Sequence, residues 1–293
     1  VAAEPIAIQN TWNAVQDHAR LYQNFTYVYP VISRRSRGLS IGINLNPDKI
    51  CNFDCVYCEV DRTTPGKTSE VRLDQIRNEL IWLINHAQSG ELAKEPKFAD
   101  APPEVSRIVR DIAFSGDGEP TMVSNFDECV RLVVDVIREK NLTDTKIVLI
   151  TDAAGLDKVS VKRGLELMDA HHGEIWGKLD AGTPLYYRTV NRSAVRFDRI
   201  LSNLRETAKA RPIVIQSLFL KIQGEPMPAR ELAEYCARLN EIRAAGGSIS
   251  AVHAYTVARP TPEAWATRLS PEELHTIADG IRNGTGLVVE EFP

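Results

Sequence analysis

The sequence predicts an α/β protein built on a parallel sheet, and two observations carry that expectation. Strand-like runs alternate with helix-like runs from residue 39 onward, giving six strand–helix units in series. Every unusual residue cluster falls just after one of the predicted strands. Alternation of this kind returns each strand through a right-handed crossover with helices covering the sheet. The pattern fits a sheet curved towards a partial (β/α) barrel, and periodicity alone does not separate this from a flat, doubly wound sheet. In either case function collects at the C-terminal ends of the strands.

Residues 39–45 read as the first strand, followed by a cysteine-containing loop. The helix after it is marked by the apolar stripe Leu73, Ile76, Leu80 and Leu83. Residues 107–114 form the second strand, 115–124 a loop, and the next helix carries Phe126, Val130, Val133 and Ile137. The third unit runs from residues 146–150 into a helix over 156–168. The fourth strand, 174–179, precedes an Arg-rich helix around 193–209. Residues 213–222 are the fifth strand, with Leu232, Tyr235, Leu239 and Ile242 on its helix, and 249–257 are the sixth. The last helix opens with Ser270-Pro271-Glu272-Glu273, where a capping Ser, a first-turn Pro and a Glu three residues on form a capping box. Residues 94–103, bounded by Pro96, Pro102 and Pro103, read as a surface loop. Residues 1–38 fit no unit and are read as an N-terminal extension, with 39–293 as the core. Trp12, Tyr22, Phe25, Tyr27 and Tyr29 are expected to pack that extension down.

The chain has 293 residues, 43% hydrophobic and 25% charged, ordinary values for a soluble globular protein. No run approaches the eighteen apolar residues of a membrane span, and Val1-Ala-Ala-Glu-Pro5 lacks the features of a signal peptide, so a cytoplasmic protein with no membrane partner is expected. The net charge of −4 argues against a nucleic-acid partner. Two local exceptions are Arg34, Arg35 and Arg37, and the row Arg188, Arg192 and Arg196, whose spacing would line one helix face if that stretch is helical. Solvated exposed charge is the favoured reading of both.

Three of the five cysteines crowd into one loop, Cys51-Asn-Phe-Asp-Cys55-Val-Tyr-Cys58. Three neighbouring thiolates can hold three irons of a [4Fe–4S] cube and leave the fourth iron open to an outside ligand. A zinc site of three Cys and one His is the rival, although the paired C-x2-C layout of most structural zinc sites is missing. A disulfide framework is weaker, since five cysteines in so long a chain are sparse and odd in number. Cys129 and Cys236 lie on apolar helical stripes and read as small buried hydrophobes.

Two further clusters follow strands. Ser115-Gly116-Asp117-Gly118-Glu119-Pro120-Thr121 combines glycines that permit close backbone approach with a carboxylate for a cationic partner. Lys178-Leu179-Asp180-Ala181-Gly182-Thr183 places Lys178 and Asp180 at alternate positions, pointing the same way. The sixth strand ends with His253-Ala-Tyr255-Thr256-Val257-Ala258-Arg259-Pro260, in which His253 reads as a core histidine in preference to a base.

The C-x3-C-x2-C spacing, with aromatic Tyr57 before the last cysteine, resembles the signature of the radical SAM superfamily. Together with the segments 46–64, 116–121, 178–183 and 255–260, in that order, the resemblance spans most of residues 39–262 and points to the subgroup that includes the wyosine tRNA-modifying enzymes. It implies a partial (β/α)6 barrel of radical SAM type, with Cys51, Cys55 and Cys58 as ligands of a [4Fe–4S] cluster whose open iron chelates S-adenosylmethionine. Gly116, Asp117, Gly118 and Glu119 then stand in place of the family's GGE motif, although Asp117 departs from it. Tyr57, Lys178, Asp180, Tyr255 and Thr256 are implied as further cofactor-binding positions. Also implied is an external one-electron reductant of flavodoxin or ferredoxin type, which starts reductive cleavage of S-adenosylmethionine and hydrogen abstraction from a substrate. That substrate is expected to be a small molecule or peptide. Radical modification of tRNA is the alternative, disfavoured by the acidic charge and by the lack of cysteines for a second cluster. A zinc or redox-sensing cysteine module is the non-enzyme alternative.

Overall fold

Buried β-branched and aliphatic runs become strands, and the helices between them each turn one apolar face inward. The computed structural model describes residues 6–17, 20–259 and 261–293, so Val1-Ala-Ala-Glu-Pro5, His18, Ala19 and Pro260 lie outside the described residues. The chain divides into two units, described separately below: residues 1–50, 65–149 and 159–173, and residues 51–64, 150–158 and 174–293.

The first unit contains α1 (Asn13–Gln16), β1 (Val28–Ser33), β2 (Gly38–Ile43), α2 (Leu73–Ser89), α3 (Pro103–Arg107), β3 (Val109–Phe114), α4 (Phe126–Glu139), β4 (Lys146–Thr151, of which the residues through Leu149 belong here) and α5 (Val159–Asp169). Its strands run in the order β1-β2-β3-β4, with β1 antiparallel to β2 and the remaining pairs parallel. All six residues of β2 are buried, as expected of a strand covered on both faces. On α4 the expected stripe is buried, with Asp127 and Glu128 in the first turn and Arg138 in the last, charges that complement the helix dipole. Phe114 of β3 meets Phe126 of α4 at 5.3 Å between ring centroids, which seats the helix on the sheet.

Two parts of this unit differ from the sequence expectation. The stretch preceding residue 39 supplies strand β1, which ends the ladder, and there Pro30 forfeits no inner hydrogen bond. The Glu79 carboxylate on α2 fixes its entry by accepting the amides of Thr26, Tyr27 and Val28 at 2.9–3.0 Å. Of the five aromatics expected to pack the extension down, Trp12, Tyr22, Tyr27 and Tyr29 are buried and Phe25 is half-buried. The expected surface loop at 94–103 is also tied down, because Phe98 is fully buried and Glu95 accepts the Tyr22 hydroxyl at 2.6 Å.

The second unit contains β5 (Gly173–Lys178, from Glu174 onward), α6 (Pro184–Asn191), α7 (Phe197–Ala210), β6 (Ile213–Phe219), β7 (Lys221–Ile222), α8 (Ala229–Ala244), β8 (Ile249–Thr256), β9 (Ala266–Thr267), α9 (Pro271–Thr285) and β10 (Val289–Phe292). Strands β5, β6, β8 and β10 are parallel neighbours in that order, and β7 pairs with β9 in a small antiparallel ladder. The capping box at Ser270 forms as expected, with the Ser270 hydroxyl accepting from the Glu273 amide and the Glu273 carboxylate accepting from the Ser270 amide. The Arg-rich helix expected around 193–209 is present as α7, but the stretch from Arg188 to Arg196 is not one helix. It breaks at Arg192, which caps α6 in the left-handed conformation at φ 46°, so Arg188, Arg192 and Arg196 share no helix face. Ser193 and the β-branched Val195 occupy the break, and Arg196 precedes α7 in extended backbone. Strand β10 has no counterpart among the six expected strands.

Candidate functional site

The three clustered cysteines belong to the second unit, on a loop without regular structure that is held by its neighbours. The amides of Asp54 and Val56 donate to the carbonyls of Asn191 and Val190, at 3.1 and 2.9 Å, pairing the loop with the last turn of α6. Ser193 Oγ donates to the Asn52 carbonyl at 2.8 Å, and Arg192 Nε to that of Asp54 at 3.0 Å. Phe53 packs edge-on against Tyr187 of α6. The break at Arg192 is therefore a docking device, because it turns residues 190–193 so that their polar groups meet the loop. Arg259 pairs with Glu59 and ties the loop's far side to the segment after β8.

Below the loop lies a buried polar network centred on Asp180, just past the end of β5. Asp180 Oδ1 accepts the Leu218 amide at 2.9 Å, while Oδ2 accepts Asn191 Nδ2 at 2.7 Å and also the Tyr57 hydroxyl. Asn191 Nδ2 reaches Cys55 Sγ as well, at 3.6 Å. The Lys178 ammonium stands over the Tyr57 ring, 4.9 Å from its centroid. The turn that carries Asp180 is itself held by Glu231 of α8, which accepts the amides of Gly182 and Thr183 at 2.6 and 2.9 Å and the Thr183 hydroxyl at 2.7 Å. Gly182 is required there, since a Cβ would sit 2.1 Å from the Tyr235 amide nitrogen.

Burial raises the Cys55 thiol, and Asp180 adds to the rise against the opposing pull of Lys178, Asn191 and Tyr57. For Lys178 burial acts downward, but Cys55, Tyr255, Asp180 and Cys58 outweigh it and hold the ammonium well above its usual range. Arg62 is likewise raised against burial by Cys58 and Cys51, and its guanidinium lies 3.5 Å from Cys58 Sγ. Each of the three sulfurs thus has a cation nearby. This donor set fits a thiolate-ligated iron cluster, whose sulfurs carry negative charge that the protein must offset. Among the described residues, no three His, Cys, Asp or Glu side chains are gathered so as to hold a single metal ion.

Of the other expected positions, Tyr255 and Thr256 end β8 in the same unit. Tyr255 accepts Gln216 Nε2 at 3.0 Å, and Thr256 Oγ1 accepts the Leu269 amide at 3.0 Å. His253 is buried between Trp176 and Phe292, the environment of a core histidine. Cys129 and Cys236 are buried on α4 and α8, as expected of small hydrophobes. Arg192 pairs with Glu263 at 2.7 Å and with Asp54, and Arg196 with Asp198.

Gly116–Glu119 lie in the first unit, after β3. A Cβ at Gly116 would meet Asn44 Oδ1 at 2.2 Å, and one at Gly118 would meet the Ile50 carbonyl at 2.0 Å, so both positions need glycine. Asp117, the departure from the family pattern, accepts Asn44 Nδ2 at 2.7 Å and Arg20 at 2.9 Å, which fixes the turn against the end of β2. Glu119 is buried, with Oε1 accepting the Thr121 amide and hydroxyl at 3.0 and 2.6 Å.

Asn191, Glu231 and Gln216 were not among the residues expected from sequence. Asn191 carries no motif signal. Glu231 could have been suspected as a first-turn carboxylate on the helix after β6, and Gln216 as one of two polar residues, with Ser217, inside a mostly apolar strand, paired in register with Lys178 and His253.

No family model matches the chain. Among solved structures, the chain is similar to TYW1 with a lysine–pyruvate adduct bound, at 16% identity and a TM-score of 0.54 over 84% of this chain and 74% of that one. It is similar to archaeal TYW1 (13% identity, TM-score 0.50, 84% and 72% covered) and to Streptococcus suis SuiB bound to S-adenosylmethionine (11%, 0.50, 88% and 48%). The chain shares the fold of these structures, an α/β architecture with a mostly parallel sheet. This bears out the fold expected from the cysteine loop and the order of the motifs. Curated relatives include a Brachyspira hyodysenteriae protein named GTPase Obg, 27% identical over 179 residues (60% of this chain, 22% of that one). Others are UPF0026 proteins of Methanocaldococcus jannaschii, 28% identical over 216 residues (72% and 59%), and Helicobacter pylori, 23% over 249 residues (84% and 70%). The chain thus spans about a fifth and about three fifths of the first two. Among the described residues, no helix is long and apolar enough to cross a membrane.

Proposed function

We propose that the chain is a radical SAM enzyme in which Cys51, Cys55 and Cys58 hold a [4Fe–4S] cluster, acting on a small molecule or peptide. The observation that carries this reading is the cysteine loop itself: three thiols on one docked segment, each beside Lys178 or Arg62, within a radical SAM fold. When bound, the cluster and S-adenosylmethionine together supply one-electron cleavage of the sulfonium, with the electron coming from an external reductant of flavodoxin or ferredoxin type. The protein's own part is to fix the loop through α6 and Asp180 and to offset thiolate charge with the two cations. We assign the Gly116–Glu119 turn, Tyr57, Lys178, Asp180, Tyr255 and Thr256 to the surroundings of S-adenosylmethionine, and residues 39–293 to the core that carries the chemistry. The tRNA alternative loses support from the observed pairing of Arg192 and Arg196 with carboxylates.

The test is anaerobic reconstitution followed by iron and sulfide analysis, a visible spectrum, and detection of methionine and 5′-deoxyadenosine after reduction. About four irons per chain with broad visible absorption are expected, and Cys55→Ala should lose both cluster and cleavage. A colourless zinc protein, or full turnover by Cys55→Ala, would overturn the reading. Filter binding of tRNA across a salt series addresses the substrate. Tight binding that weakens steeply with salt would favour tRNA instead.

A further inference from the structure

Asn191 occupies a position that neither the cysteine motif nor the fold accounts for. It is the last residue of α6, 1% exposed, and its side-chain amide faces both the Asp180 carboxylate and Cys55 Sγ, at 2.7 and 3.6 Å. The orientation of the amide follows from its neighbour, since an amide oxygen turned towards a carboxylate would repel it, whereas the NH2 group has two hydrogens to share. One hydrogen goes to Asp180 and the other to the sulfur. The backbone of the same residue accepts the Asp54 amide, one position before Cys55, so side chain and main chain of Asn191 grip the ligand loop at adjacent points. Asp180 is itself fixed by the Leu218 amide and the Tyr57 hydroxyl, which leaves the amide little freedom to rotate away.

We propose that Asn191 is a positioning residue that donates a hydrogen bond to Cys55 and thereby raises the reduction potential of the cluster, without being needed for the cluster to assemble. This rests on the function proposed above. Reduction adds negative charge that is partly borne by the ligand sulfurs, and a donor aimed at one of them stabilises the reduced form more than the oxidised one. In a buried setting that preference is not diluted by water. Cluster assembly is left to the three thiols and to the main-chain pairing of the loop, which a change of the Asn191 side chain does not remove.

The experiment compares reconstituted wild type with Asn191→Ala and Asn191→Ser by iron analysis and by a mediated dithionite titration of the cluster's electron paramagnetic resonance signal. The shorter Ser keeps a hydroxyl donor near Asp180 while withdrawing it from Cys55, and so guards against a folding defect in the Ala variant. Both variants are expected to retain about four irons, with the ratio of reduced to oxidised cluster at a given potential falling about tenfold, a shift of about 59 mV to more negative potential for a one-electron couple. A purely structural role would leave the potential of the assembled cluster unmoved. An unchanged potential overturns the proposal, as does failure of both variants to hold a cluster that the wild type holds. If the wild type takes up no iron, the proposed function fails and the role of Asn191 with it, so the two failures are distinguishable.

Discussion

Replacing Asp180 by Ala tests the network beneath the cysteine loop directly. The carboxylate satisfies three buried donors, the Leu218 amide, the Tyr57 hydroxyl and the Asn191 amide, and Ala leaves all three without it. A buried donor left unsatisfied costs about 1–3 kcal/mol, so the three together span about 3–9 kcal/mol. They share one acceptor and do not add, and the variant no longer buries a charge, which places the expected loss near the low end, about 4 kcal/mol. Asp180→Asn keeps the volume and one acceptor and should lose only about 1–2 kcal/mol. Urea denaturation of the metal-free protein measures both values without involving the cluster. An Ala variant within about 1 kcal/mol of wild type, or an Asn variant as unstable as the Ala variant, would refute the account of Asp180 as the shared acceptor.

Gly118→Ala pushes a Cβ to 2.0 Å from the Ile50 carbonyl, one residue before Cys51, and since that neighbour is main chain it should cost about 1–3 kcal/mol; a wild-type thermal melt would contradict the close approach. Burial, aided by Glu128 and Asp127, pushes the Cys129 thiol up from 9.0 to about 12. Because the folded value is the higher one, the stabilising contribution is complete below pH about 9 and is lost as pH rises towards 12 at up to about 1.4 kcal/mol per pH unit. Cys129→Ala should therefore lose packing energy at neutral pH but show a shallower alkaline decline, measured as stability against pH; equal slopes would contradict the raised value.

The cysteine loop was legible because its chemistry demands a fixed spacing of one residue type within eight positions, and the helices because their apolar stripes follow a helical period. Strand β1 was hidden by Pro30, tolerable only at the end of a ladder, and β10 by its two glutamates, which break the apolar run expected of a strand. The four-residue spacing of Arg188, Arg192 and Arg196 would suit one helix face, and nothing local signals a left-handed conformation at an arginine. Asn191 and Glu231 were invisible for a different reason. Asn191 reaches Cys55 across 136 residues and Asp180 across 11, Glu231 reaches Gly182 and Thr183 across 48–49, and a side chain that acts through tertiary hydrogen bonds leaves no local pattern.

The main-chain docking of the cysteine loop onto the end of α6 also bears on how a cluster would be gained and lost. Confining a residue's backbone costs about 1–2 kcal/mol, so ordering an eight-residue ligand loop on metal binding would withdraw roughly 8–16 kcal/mol from the affinity for iron. Here Asn191, Val190, Arg192 and Ser193, none of them a thiol ligand, supply that confinement from the fold itself, so its cost falls on folding and not on the binding of iron.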